Sequence, residues 1–188
     1  MQIISNTCIG SYIQRDCLKQ KYSNPFCWNI IKAPEMIKLI KNWDNINFKN
    51  YSISKDENWK FSVIIDNLVK VDYVHYLFSP NDNVPRKKGV EIFYNKIWEY
   101  IAQKYEERTE RMLEKKENPI FIIGTSYPYD FYTVEEIKTI CELQTKYKII
   151  ICNNHIKLDY PNVLFLDTKL YQDNEQLAKD IWREYEKI

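Results

Sequence analysis

The residues best placed to do chemistry stand near the start of the chain, in Asn6-Thr7-Cys8-Ile9-Gly10-Ser11. The segment follows a short apolar run and leads into Ile9, Ile13 and Cys17, which recur at four-residue spacing. Cys8 therefore falls at a strand-to-helix junction. Unpaired backbone N–H groups and the positive end of the helix dipole favour a thiolate there. The same N–H groups, with Asn6 and Ser11 beside them, suit an oxyanion or a bound phosphate. A nucleophilic thiol also needs a base. His75 and His155 are the only two histidines. His75 shares a strand face with Tyr73 and Leu77, which fits either a base or a core histidine holding one hydrogen bond. His155 and Asn153 follow a later strand end, which fits either a site loop or a surface turn. Cys8 has a second reading too, as a small buried hydrophobe beside a core strand.

Two further groups carry functional potential. Arg108 and Arg111 are three apart on one helix face and are two of only five arginines against 22 lysines. They form either a guanidinium pair for phosphate or carboxylate, or a solvated face of local ion pairs. The loop after the apolar run at 120–123 holds Ser126, Tyr127, Tyr129, Asp130, Phe131 and Tyr132. Flat rings with a carboxylate suit a sugar or a nucleobase, and the same rings would also serve by packing back on the domain. The chain has no H-E-x-x-H, P-loop, G-x-S-x-G or dinucleotide fingerprint. No cofactor is implied, and the spacing of Asp66, Asp72 and Asp130 does not argue for a metal site.

These residues must be positioned by the surrounding elements. Short apolar runs at 2–5, 120–123, 148–151 and 163–166 read as strands, and amphipathic stretches at 9–18, 34–40, 90–117, 133–144 and 174–185 as helices. Thr133-Val134-Glu135-Glu136 is a capping-box sequence. Residues 61–65 and 68–78 read as a hairpin turning at Asp66-Asn67, with an extra strand at 51–53. Strands alternating with helices predict one three-layer α/β/α domain over residues 1–188, with a mainly parallel sheet and an added β-hairpin. Ligands of such sheets bind beyond the carboxyl ends of the strands, where the Cys8, Tyr127 and Asn153 loops fall.

Composition removes whole classes of function. Lys+Arg 27 against Asp+Glu 26 gives a net charge of +1, which speaks against nucleic acid as partner. A hydrophobic content of 45% rules out wholesale disorder. Three glycines against 28 aromatic residues exclude Gly-rich phosphate loops and low-complexity architecture. No apolar run reaches the ~20 residues of a membrane span. The five scattered cysteines and the absence of a secretory leader read as a reducing cytoplasm.

Several motifs, taken in order, carry a family resemblance. They are Ser5-Asn6-Thr7-Cys8-Ile9-Gly10, Tyr22-Ser23-Asn24-Pro25-Phe26, His75-Tyr76, and Tyr105-Glu106-Glu107-Arg108-Thr109-Glu110-Arg111-Met112. Together they resemble a bacterial exopolysaccharide-biosynthesis-associated family of unknown function, over most of the chain to about residue 155. A weaker similarity is to a family of papain-like cysteine peptidases, which has an early Asn-Cys element where this chain sets Thr7 between Asn6 and Cys8. The resemblance implies a role in synthesis or modification of surface polysaccharide, with a glycan or activated sugar as substrate. It also implies Cys8 and His75 as the catalytic pair of a transferase or hydrolase. The alternative is a non-catalytic module that binds a nucleotide-sugar or glycan.

Overall fold

Alternation of side chains along short strands decides the architecture. Ile3 faces a cluster with Ile9, Ile13 and Ile122, while its neighbour Ile4 faces another with Phe121, Ile123 and Ile151. A strand that is apolar on both faces must be covered on both. The computed structural model describes residues 2–20, 23–27, 29–57, 61–73, 90–115, 118–124, 132–152, 160–161, 163–166 and 174–187, with residues 90–97 and 174 described by backbone alone.

Through these residues the chain runs β1 (Gln2–Ser5), α1 (Ile9–Tyr12) and a π-helical turn (Ile13–Cys17), then α2 (Ala33–Asn42). Next come β2 (Tyr51–Lys55), β3 (Phe61–Ile65), β4 (Val69–Tyr73) and α3 (Val90–Lys115). The last part is β5 (Pro119–Gly124), α4 (Val134–Cys141), β6 (Lys148–Cys152), β7 (Val163–Leu166) and α5 (Asn174–Tyr185). Four strands form a parallel sheet in the order β1-β5-β6-β7. One face packs α1, the π turn and α5, and the other packs α2, α4 and part of α3. The expected α/β architecture is what forms. The added hairpin is joined by the extra strand read at 51–53, and β2, β3 and β4 make a separate three-stranded antiparallel sheet.

Local chemistry sets the ends of these elements. Thr133 Oγ1 accepts from the Glu136 N–H at 3.2 Å, and Glu136 Oε2 accepts from the Thr133 N–H at 2.8 Å, so the capping box of α4 is closed. The β3–β4 turn places Asp66 and Asn67 at φ 54° and 53°, both left-handed, in a three-residue loop between the paired Ile65 and Val69. Without glycine this costs energy. The Asp66 carboxylate offsets it by accepting from the Asn47 N–H (3.1 Å) and Asn50 Nδ2 (2.8 Å). Where one α-helix is expected over 9–18, the chain instead widens into the π turn after Tyr12.

Three devices fasten β1. Its outer edge is closed by two side-chain amides, Gln14 Nε2 (2.9 Å) and Asn24 Nδ2 (2.8 Å), which both donate to the Ile3 carbonyl. Just beyond it, Asn6 reaches across to β5: Nδ2 donates to the Gly124 carbonyl and Oδ1 accepts from the Gly124 N–H, each at 2.9 Å. Gly10 lets α1 lie directly on the strand, since a Cβ there would stand 2.7 Å from Ser5 Cβ. The two sheets are spliced by neighbouring residues. Ile30 exchanges two 2.9 Å backbone hydrogen bonds with Asp72 of β4, and the Ile31 N–H donates to the Asn6 carbonyl at 3.3 Å.

Gly10→Ala is expected to lower stability by about 1–3 kcal/mol through overpacking, read as a reduced urea midpoint. Asn6→Ala is expected to cost about 1–3 kcal/mol for each Gly124 backbone group left buried and unmade. An unchanged midpoint in either variant would show that the β1 end is not held this way.

Candidate functional site

The sequence directs attention to the carboxyl ends of β1, β5 and β6. Of the residues singled out there, Asn6, Cys8 and Ser11 are described, as are Arg108 and Arg111 on α3. His75, Ser126, Tyr127, Tyr129, Asp130, Asn153 and His155 lie outside the described residues.

Asn6 is 1% exposed, and its amide is taken up by both backbone groups of Gly124. That position makes it a strut between strands. Thr7 Oγ1 accepts the Ile9 N–H at 3.4 Å, so the first turn of α1 is met by a threonine hydroxyl, while Cys8 makes no side-chain cap. The Cys8 carbonyl accepts from the N–H groups of Ser11 (3.0 Å) and Tyr12 (3.2 Å). Tyr132, at the far end of the aromatic loop, is buried, and its hydroxyl donates to the Ile31 carbonyl at 2.9 Å. Its ring belongs to the core.

Cys8, Ser11 and Arg108 converge on a residue that the sequence does not single out, Cys27. The Cys27 thiol donates to Gln14 Oε1 at 3.1 Å, and the Ser11 hydroxyl is a further partner. Arg108, 8% exposed, donates through Nη1 to the Cys27 carbonyl at 3.2 Å. The Cys27 thiol is near enough to disfavour ionisation of Cys8. Arg111 diverges from this group. Its side chain lines a cavity of about 20 Å³ with Gln2, Asn24 and Lys115, near the amino end of β1. The two arginines share a helix but serve opposite ends of the strand.

No protein-family model, curated protein or solved structure matches the chain.

The electrostatics of Cys8 follow from this packing. The helix-dipole argument expects a depressed thiol pKa, whereas burial, with the Cys27 thiol adding to it, pushes Cys8 up from 9.0 to about 11. A single short helical turn cannot outweigh lost hydration. Burial thus favours the protonated form of the Cys8 thiol. Burial also raises Cys27, and takes Cys141 to about 11 and Cys152 to about 12. Cys27 could be found only by knowing that the chain returns from Pro25 to pack under α1; its spacing from Cys8 resembles no motif.

These thiols link stability to pH. A group whose pKa is higher in the fold than in the unfolded chain contributes stability that is complete below the unfolded value and lost as pH rises through the folded one. For Cys8 that window runs from 9.0 to about 11. The expected result is a urea midpoint that falls as pH is raised through this window, and falls less steeply in Cys8→Ser. Equal slopes would show that the Cys8 thiol does not carry its share.

Proposed function

We propose that the chain is a binding module for an activated sugar or a glycan, serving surface-polysaccharide synthesis or modification, and that Cys8 forms no covalent adduct in it. The observation that carries the non-catalytic part is the Cys8 thiol, half-buried beside Cys27 and raised to about 11. A nucleophile needs the thiolate at working pH, and this packing works against it. The ligand class rests on the motif resemblance around Cys8, Asn24, His75 and Arg108. Near-neutral net charge agrees with a small polar ligand better than with a nucleic acid.

A second reading, a Cys8–His75 transferase or hydrolase, is favoured by one specific arrangement. The buried Arg108 guanidinium works against the rise of the Cys27 thiol, and thus brings positive charge to the residue that neighbours Cys8. In that reading His75 takes the Cys8 proton, and Ser11 and the backbone N–H groups of α1 receive negative charge on the substrate.

Iodoacetamide labelling followed by peptide mass spectrometry separates the two. The module predicts slow labelling of Cys8 at pH 7, accelerating only toward pH 11. Fast labelling below pH 8 that disappears in His75→Ala would transfer the assignment to the enzyme. The ligand class has its own check. Uridine-diphosphate sugars or free monosaccharides are expected to raise the melting temperature, and no shift with any of them would overturn the sugar assignment.

A further inference from the structure

We propose that Cys8 and Cys27 form a redox pair, and that closing a disulfide between them opens a clasp on the outer edge of β1. The inference is independent of the sugar-binding reading. It starts from the two amides that close that edge. Gln14 Nε2 and Asn24 Nδ2 both donate to the Ile3 carbonyl, at 2.9 and 2.8 Å. The other end of each amide meets one sulfur: the Cys27 thiol is 3.1 Å from Gln14 Oε1 and 3.5 Å from Asn24 Oδ1. A single thiol proton thus ties together the two groups that hold β1. Gln14, Asn24 and Cys27 are all buried, so bulk water does not replace that donor.

Cys8 is the thiol placed to take that proton's position. Cys8, Ser11 and Gln14 follow at three-residue spacing along one flank of α1 and the π turn, and the Ser11 N–H donates to the Cys8 carbonyl at 3.0 Å. Cys27 lies against that flank, bonded to Gln14 and to the Ser11 hydroxyl. Its thiol also opposes ionisation of Cys8, as a close neighbour does. Cys17, further along the same segment, is turned to α5, with its thiol 3.9 Å from the Ala178 carbonyl. Cys8 is half-buried and Cys27 buried, so an oxidant meets Cys8 first.

The oxidant is a low-molecular-weight disulfide such as oxidised glutathione. Cys8 loses its proton and attacks one sulfur, expelling the first glutathione thiolate and forming a mixed disulfide. Cys27 loses its own proton and attacks the Cys8 sulfur, expelling the second. Two protein thiols are oxidised, one disulfide is reduced to two thiols, and the leaving thiolates take up the two protons. The Ser11 hydroxyl and the Arg108 charge both favour the Cys27 thiolate in the second step. Burial raises both cysteines, so exchange is slow at neutral pH and the pair answers sustained oxidation. Once bridged, Cys27 has no proton to donate. Asn24 Oδ1 keeps the Phe26 N–H at 2.9 Å, so the loss falls on Gln14 and loosens its end of the clasp.

The test incubates the full chain with oxidised glutathione at mildly alkaline pH and digests it without reductant. Trypsin, cutting after Arg15, Lys19 and Lys21, leaves Cys8, Cys17 and Cys27 on separate peptides. Mass spectrometry should find the Cys8 and Cys27 peptides joined, lighter by two hydrogens than their sum, and separated again by dithiothreitol. Hydrogen exchange then reads the clasp. The β1 segment should exchange about twofold to tenfold faster in the bridged protein, as loss of one buried hydrogen bond implies. Cys27→Ala kept in reductant should show the same acceleration, and Cys8→Ser treated with oxidised glutathione should not. A wild-type chain in which Cys8 and Cys27 stay reduced, stop at glutathione adducts or pair with other cysteines would overturn the redox pair. A Cys8–Cys27 bridge that leaves β1 exchange unchanged would overturn the clasp.

Discussion

The pairing of the Asn6 side chain with the backbone of Gly124 is the interaction on which the rest of the sheet depends. At the end of β1 the main chain must leave the ladder to enter α1, and Gly124 on β5 would lose its neighbour. A carboxamide has the same donor and acceptor as a peptide unit, so Asn6 supplies a substitute rung at 2.9 Å on both sides. Gly124 in turn has no side chain to obstruct Ile9, whose Cδ1 would be 3.1 Å from a Cβ built there. Neither glycine that α1 depends on is needed for an unusual backbone angle. Both are needed for close approach.

That same closeness governs the chemistry of Cys8. Seating α1 tightly on β1 and β5 removes the thiol from water and sets it near Cys27, under which Arg108 is buried. Desolvation acts on the whole thiolate charge, whereas the dipole of a four-residue helix is small. The packing that seats the first βα unit also favours the protonated form of its cysteine.

How much of this the sequence discloses depends on the range of the interactions involved. The α4 start is readable because the capping box spans only Thr133 to Glu136. The parallel strands are readable because Ile120 to Ile123 and Ile149 to Ile151 are apolar on both faces. The turn at Asp66-Asn67 is located correctly, yet its left-handed angles are not evident, because they are held by Asn47 and Asn50 from outside the hairpin. The candidate site is less legible still. Asn6 and Cys8 are found by position, but the roles that packing gives them come from Gly124 and Cys27, far along the chain or in another segment.

The splice at Ile30 and Ile31 bears on how this chain can vary over time. Consecutive residues of one extended segment engage different sheets, one beside β4 and the other beside Asn6. Adding or deleting a single residue between Pro25 and Ile31 would shift both engagements at once, and also turn the Ile31 side chain from the core to the opposite side. Substitution can be absorbed there one side chain at a time, but a change of length cannot. Homologous chains should therefore keep the count of residues across this segment fixed, even where its letters differ.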